Sequence, residues 1–353
     1  MRVLHVGDIG NYALNTVKWL RKAGVEAELL VQPTPKNSVP LTDEFGKPPE
    51  WVHEWKGSNY LSKALYLLLK SRDYDILQGY GSATAYLPFC GKPYFSYALG
   101  SDLRLEAVSG TLKGRLLMNG FKNSKVMFFG PDRATLDIIK RYDLHQAKFI
   151  PQIIDSGLFS PGKSKIKGYK DNFVVFNASS LYWGGMDKGK KTQYLVNAFA
   201  EFASEVKEAK LIMPFLGPDK EKTRDLVRKL KLDEKVDFIP RQTKTQLVEY
   251  YRLADVVTDQ FEVDTLGLVS REALSTGKPL ITRCGKELHE KFYAEAPPIL
   301  YASTTQEITK RLFESTDNKK MAALGKRSRE WILEYHDNAK NTRKLISLYE
   351  RVI

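Results

Sequence analysis

Val256-Val257-Thr258-Asp259-Gln260-Phe261, then Asp264-Thr265-Leu266-Gly267-Leu268-Val269-Ser270-Arg271-Glu272-Ala273-Leu274, then Gly277-Lys278-Pro279-Leu280-Ile281 make one strand–turn–helix–strand passage. A short apolar run, of the kind that forms a buried strand, ends near Phe261. A polar turn follows, and helical spacing begins near Gly267. A second apolar run from Pro279 to Arg283 gives the next strand. This is the unit of a βα-repeating chain.

The same rhythm fills both halves. In the second half, strands are expected at Phe173 to Asn177, Lys210 to Phe215 and Val236 to Pro240. Helices are expected at Thr192 to Glu205, Lys220 to Leu230 and Lys244 to Leu253. In the first half, strands are expected at Val3 to Val6, Val25 to Val31, Ile76-Leu77, Tyr94 to Ala98, Val126 to Phe129 and Lys148 to Pro151, with a helix from Ala13 to Ala23. Residues 33–57 hold five prolines and no periodicity, and read as a loop. The expected fold class is α/β: two Rossmann-like doubly wound domains facing a cleft, where open parallel sheets bind ligands. The boundaries are 1–160 for the first domain, 161–337 for the second, and 338–353 for a terminal amphipathic helix.

The 353 residues carry 55 Lys/Arg against 42 Asp/Glu, a net +13. The excess is spread, +5 over residues 1–160 and +8 over 161–353, and forms no basic, aromatic-interleaved stripe of the sort that binds single strands. Nucleic acid is therefore not an expected partner. No apolar run approaches the roughly 20 residues of a membrane span, and none has the form of a signal peptide. Cys90 and Cys284 are expected as free thiols of a reducing cytosol. His5, His53, His145, His289 and His336 show no metal-ligand or triad spacing, and no Cys–His arrangement is expected. Gly7-Asp8-Ile9-Gly10-Asn11-Tyr12 lacks the third glycine of the dinucleotide fingerprint, which argues against a dehydrogenase.

The chemistry gathers at the quoted passage. The N-terminus of the helix after Gly267 offers unpaired N–H groups from Leu266, Gly267 and Leu268, an anion site. Gly267 allows a diphosphate close to the backbone. Asp264 before the helix and Glu272 two turns along it are carboxylates placed to accept hydrogen bonds from sugar and ribose hydroxyls. Read on spacing alone, the same two residues also fit a helix cap and a dipole partner.

This passage resembles the signature of the retaining family 4 glycosyltransferases: an acidic residue, Phe-Gly-Leu, then Glu-Ala-Met with a Gly-x-Pro close. Gly267-Leu268, Glu272-Ala273, Gly277 and Pro279 match it in register, while Asp264 stands where Glu is usual and Leu266 where Phe is. Tyr80 to Arg104, ending in the Gly-Ser-Asp-Leu-Arg run of Gly100 to Arg104, resembles the first domain of the same group, with Leu99 in place of a usual histidine. Ile150 to Pro161 resembles the inter-domain segment, and the last helix one that crosses back to the first domain. The resemblance implies the GT-B fold and sugar transfer from a nucleotide-diphosphate sugar, such as a UDP- or GDP-sugar, to an acceptor hydroxyl with retention and with no metal. It implies a lysine on the diphosphate. The Lys-Gly pair matches at Lys188, whereas counting back from Ala198-Phe199 gives Lys190; both stand. The companion arginine falls near Ser180, so that cation is lacking.

Gly10 and Asn11 are further donor-side candidates, and Asp102 and Arg104 acceptor-side candidates, with an internal ion pair as the plainer reading of the last two. The acceptor is expected to be a sugar or lipid-linked hydroxyl. The basic helix-like region Arg104 to Lys125, net +4 with Leu112, Leu116, Leu117 and Phe121, has two readings: an ordinary solvated helix, or a peripheral contact with anionic membrane or a lipid-linked acceptor. The expected location is cytoplasmic, and the second of these readings would put the protein peripherally on the inner membrane face. The competing class is a catalytically degenerate GT-B-fold binding or partner subunit, to which Ser180, Leu99 and Asp264 lend weight.

Overall fold

Short runs rich in Val, Ile and Leu between helices can bury both faces only in a parallel sheet covered on each side. The computed structural model describes residues 1–32, 47–184 and 189–353, and holds two such sheets in two units. Unit 1 comprises Met1–Ile153 with His336–Ile353; unit 2 is Ile154–Tyr335.

In unit 1 the strands are β1 (Arg2–Val6), β2 (Glu26–Val31), β3 (Val52–Glu54), β4 (Ile76–Tyr80), β5 (Tyr94–Tyr97), β6 (Val126–Phe129) and β7 (Ala147–Phe149). Their order is β3-β2-β1-β4-β5-β6-β7, every pair parallel. Helices α1 (Tyr12–Lys22), α2 (Tyr60–Lys70), α3 (Leu112–Lys122) and α4 (Arg133–Arg141) and a 3-10 segment, Gly81–Cys90, connect them. The order reverses at β1, as it must when right-handed crossovers place helices on both faces.

Unit 2 repeats the plan. Its strands β8 (Phe173–Asn177), β9 (Ala209–Pro214), β10 (Val236–Ile239), β11 (Val256–Thr258), β12 (Leu280–Thr282) and β13 (Leu300–Tyr301) run β10-β9-β8-β11-β12-β13, again all parallel. Its helices are α5 (Thr192–Glu205), α6 (Lys220–Lys229), α7 (Lys244–Leu253), α8 (Leu268–Ser275), α9 (Lys286–Tyr293), α10 (Thr305–Glu314) and α11 (Asn318–Tyr335). The last helix, α12 (Asn338–Glu350), belongs to unit 1.

Two sequence expectations change. The stretch 33–57 is not all loop: Val52–Glu54 pairs with Leu29–Val31 as an edge strand, where prolines cost little, and 33–46 lie outside the described residues. The region Arg104 to Lys125 is not one helix. A π-helical turn, Asp102–Glu106, stops before Ser109-Gly110, and Thr111 starts α3 afresh by accepting the N–H of Gly114 at 3.1 Å. Leu117 and Phe121 of α3 are in the core of unit 1.

Leu345 and Tyr349 of α12 join the core cluster of Val3, Val17 and Phe95. A buried chain of polar side chains runs through this core. His5 Nδ1 lies 2.9 Å from the Tyr80 hydroxyl, Gln78 Nε2 donates to that hydroxyl at 2.7 Å, and the Tyr349 hydroxyl donates to Gln78 Oε1. Burial pushes the His5 imidazole down to about 3, so it is neutral in the fold.

Within unit 1, close approach is tightest where α3 crosses the 3-10 segment. A Cβ on Gly120 would lie 2.4 Å from the Thr84 carbonyl oxygen, which is backbone and cannot swing aside. Gly120→Ala should therefore destabilise unit 1 by about 1–3 kcal/mol, seen as a lower midpoint in urea denaturation. An unchanged midpoint would mean that this contact relaxes freely.

Candidate functional site

In unit 2 the strands β8 and β11 are neighbours, and the loops leaving their C-terminal ends carry most of the candidate residues. The loop after β8 brings Ser179; the one after β11 brings Asp259, Gln260 and Asp264. Asp259 is buried, and both its oxygens are taken: Ser179 Oγ donates to Oδ1, and Ser270 Oγ of α8 donates to Oδ2 at 2.6 Å. Lys190 Nζ stands 3.7 Å from Oδ1. Gly267 sits on the same carboxylate, since a Cβ there would meet Asp259 Oδ2 at 2.6 Å. Thus Lys190 and the first residues of α8 come together around one buried acid. Gly267 is the N-cap of α8 and has no side chain to cap it, so the first-turn N–H groups keep the character of an anion site.

The two lysine candidates part here. Lys188 lies outside the described residues. The residue after Lys190, Lys191, starts α5 in the left-handed conformation, φ 54°, a geometry that glycine adopts most easily. A Lys-Gly pair placed at 190–191 would suit it.

The turn that carries Asp264 is built on Gln260. Its buried side chain donates from Nε2 to the carbonyls of Val263 (2.6 Å), Thr265 (3.2 Å) and Arg283 (3.1 Å). It accepts at Oε1 from the N–H groups of Glu262 (2.9 Å) and Val263 (2.7 Å). Asp264 projects from this turn, partly exposed, and pairs with Arg283 Nε at 2.7 Å. It does not cap α8. Glu272 is 1% exposed and accepts from Lys244 Nζ and from the Tyr251 hydroxyl at 2.9 Å. It is thus more than a dipole partner: a buried carboxylate fixed by a cation and a phenol. Leu266 is buried and Leu268 half-buried, so both contribute through the backbone.

Asp259, Gln260, Lys244, Tyr251 and Arg283 were not read as site residues from the sequence. Two polar residues, Asp259-Gln260, directly after an apolar strand were the available signal for the first pair. The other three meet their partners only through the fold. The expected absence of a Cys–His arrangement also changes: Cys284 Sγ lies 3.3 Å from His289 Nδ1. Both are buried, and burial pushes the thiol well above its usual range, so the pair does not supply a thiolate. Among the described residues no group of three or more His, Cys, Asp and Glu could hold a metal ion.

The remaining candidates are in unit 1. Asp8 accepts the N–H of Asn11 at 2.8 Å and that of Leu14 at 3.1 Å, so its own carboxylate caps α1. The Asn11 N–H is committed there, beside Gly10. Arg104 Nη1 pairs with Asp132 Oδ2 at 3.0 Å, both side chains buried; its internal partner is thus Asp132, not Asp102. Asp102 is buried and accepts the N–H of Leu99 at 3.1 Å.

Residues 177–331 match the family model described as glycosyl transferases group 1. The chain is 25% identical over 156 residues to the alpha-monoglucosyldiacylglycerol synthase of Acholeplasma laidlawii, covering 44% of this chain and 38% of that protein. It is 24% identical over 170 residues to the D-inositol 3-phosphate glycosyltransferase of Corynebacterium efficiens, covering 45% and 40%. The chain thus matches only about 40% of the length of these curated relatives. In fold it is similar to Anabaena HepE in complex with UDP and glucose, with a TM-score of 0.76 at 15% identity over 99% of each chain.

Burial pushes the Asp102 carboxyl up to about 6, against the pull of its backbone hydrogen bonds. In the fold it keeps its proton to about pH 6, whereas the unfolded chain releases it near pH 4. Stability present at about pH 4 therefore falls as pH rises to about 6, by roughly 3 kcal/mol. His5 acts in the opposite sense, being neutral in the fold and protonated in the unfolded chain below about pH 6.5. The comparison of wild type with Asp102→Asn isolates the acid. Over this interval wild type should lose roughly 3 kcal/mol relative to the variant in urea denaturation, and parallel pH profiles would rule the buried acid out.

Proposed function

We propose, since residues 177–331 match the model of the group 1 glycosyltransferases and the two parallel sheets are those of the GT-B fold, that this protein moves a sugar from a nucleotide-diphosphate sugar to an acceptor hydroxyl with retention at the anomeric carbon. The observation that carries the reading is the meeting of Lys190, Asp259 and the uncapped first turn of α8 at the ends of β8 and β11. A cation beside unpaired N–H groups suits the diphosphate, and carboxylates to either side suit hydroxyls.

In this reading Lys190 and the N–H groups around Leu266, Gly267 and Leu268 hold the diphosphate; Lys188 is the alternative lysine. Asp264, oriented by Arg283, accepts from hydroxyls of the donor sugar. Arg283 adds a cation to a site that has Ser180 where the family has arginine. Glu272, held by Lys244 and Tyr251, accepts from the ribose with the lone pairs these partners leave. The bond from the anomeric carbon to the phosphate oxygen breaks, and the acceptor oxygen bonds on the same face. The departing phosphate takes the acceptor proton. The protein contributes position and stabilisation of the charge on the leaving group. Asp102 and Arg104 are assigned to the acceptor side, the acceptor being a sugar or a lipid-linked hydroxyl. The protein works in the cytoplasm, peripherally on the inner membrane face.

A second reading, a subunit that binds nucleotide without turnover, draws on Asp259, which sets a carboxylate beside Lys190. Release of free nucleotide from UDP- or GDP-sugars tests the two. Nucleotide binding with no release from any donor would favour the second reading.

Glu272→Gln should weaken nucleotide binding about tenfold, since a charge-assisted hydrogen bond contributes roughly 1.5–3 kcal/mol. Calorimetry measures it, and an unchanged affinity would make Glu272 a purely structural residue. For the stereochemistry, an α-linked donor should give an α-linked product in the anomeric proton coupling. A β product would require withdrawal of retention and of the roles given to Asp264 and Lys190.

A further inference from the structure

Helix α2 exposes three residues, and all are leucine: Leu61 at 78%, Leu65 at 55% and Leu69 at 50%. Their spacing of four puts them in one stripe, with half-buried Leu68 beside it. The polar residues of α2 turn the other way. Lys70 Nζ lies 3.3 Å from Glu28 and 5.6 Å from the centre of the Tyr74 ring, and Lys63 is half-buried. A surface helix ordinarily does the reverse.

The elements next to α2 expose apolar residues as well. Tyr60 of α2 donates to the Ala85 carbonyl at 2.9 Å and stacks on Tyr86 at 4.2 Å, which ties α2 to the 3-10 segment. That segment abuts α3 at Gly120, so the three elements form one layer. The 3-10 segment exposes Phe89 and α3 exposes Leu112, so these three neighbouring elements carry five of the ten large hydrophobic residues exposed among the described residues. A cluster of this kind marks an interaction surface, unlike scattered single residues.

Charge selects the partner. Residues 56–125 hold ten Lys/Arg against four Asp/Glu, a net +6 out of +13 for the whole chain. Lys56, Arg72, Lys113, Arg115, Lys122 and Lys125 are exposed. A second copy would set like charge against like charge across a symmetric contact. Anionic headgroups over an acyl boundary complement both the basic and the apolar part. At 11 residues α2 is too short to cross a bilayer, and no described helix is long and apolar enough to do so.

We infer that unit 1 docks on an anionic lipid bilayer through α2, with Leu61, Leu65 and Leu69 in the acyl boundary and the flanking lysines and arginines on lipid phosphates. This rests on the membrane-facing part of the reading above and deepens it, moving insertion from the Arg104 to Lys125 region to α2. The core positions of Leu117 and Phe121 leave α3 only Leu112 and its basic residues for the bilayer.

The test is flotation of the full chain with phosphatidylcholine vesicles, with and without phosphatidylglycerol, in the absence of donor and acceptor. Wild type should bind the anionic vesicles, and binding should fall about tenfold on raising salt. The triple variant Leu61→Gln, Leu65→Gln, Leu69→Gln should bind at least about tenfold more weakly and keep its Tm, since those side chains face water. Lys113→Glu with Arg115→Glu should lose the salt-sensitive part. If the triple variant misfolds, Leu65→Trp should show a blue-shifted emission, quenched by brominated lipid. Equal binding by the triple variant, no binding by wild type, or an emission of the Leu65→Trp variant unmoved by vesicles overturns the proposal. So does concentration-dependent self-association through the stripe without lipid binding. Nucleotide release onto a soluble acceptor reads the transferase function separately, so failure of one leaves the other intact.

Discussion

One buried amide holds the candidate donor site in shape. Gln260 makes five hydrogen bonds to the backbone of the turn between β11 and α8 and of the segment after β12. A turn of polar backbone leaving a buried strand would otherwise strand N–H and C=O groups away from water. Because Gln260 satisfies them, the turn can stand at the sheet end in one conformation and present Asp264 and Gly267 from fixed positions. Replacing it with an apolar residue would leave several buried groups unpaired at once, so its influence exceeds that of any single contact made by Asp264 itself.

Around this anchor the charges are arranged in nested pairs. Asp259 binds two serines and faces Lys190; Asp264 binds Arg283; Glu272 binds Lys244 and Tyr251. Each carboxylate is oriented before any ligand arrives, which reduces the ordering that binding would otherwise demand. The same arrangement makes the site intolerant: removing one member of a buried pair leaves an uncompensated charge, which costs more than the pair contributes. Lys244 and Tyr251 therefore fix the position of the Glu272 carboxylate.

The architecture was legible in the sequence because its signal is local. Apolar runs of strand length separated by amphipathic stretches specify parallel sheets with little ambiguity, and all but two of the described strands can be read this way. Val52–Glu54 was hidden by the prolines around it, and Leu300–Tyr301 is too short to carry a pattern. The passage around Asp264 and Glu272 was legible as a site through its spacing and its family resemblance. What could not be read was pairing across sequence distance. Lys244 meets Glu272 from 28 positions away and Arg283 meets Asp264 from 19, and no periodicity links such residues. The run 104–125 mixed core residues with surface charge for the same reason: which face of a helix is buried depends on what packs against it.

The first and last residues of the chain belong to one unit, with the whole of unit 2 inserted between them. On the ribosome this imposes an order of events. Unit 2 is complete in sequence, and free to fold, before α12 has left the exit tunnel, whereas the sheet of unit 1 must wait for Leu345 and Tyr349 to cover it and for Tyr349 to reach Gln78. The earliest-synthesised half of the protein is thus the last to be finished. Until then the apolar side chains that α12 covers, Val3, Val17 and Phe95 among their cluster, lack that part of their packing.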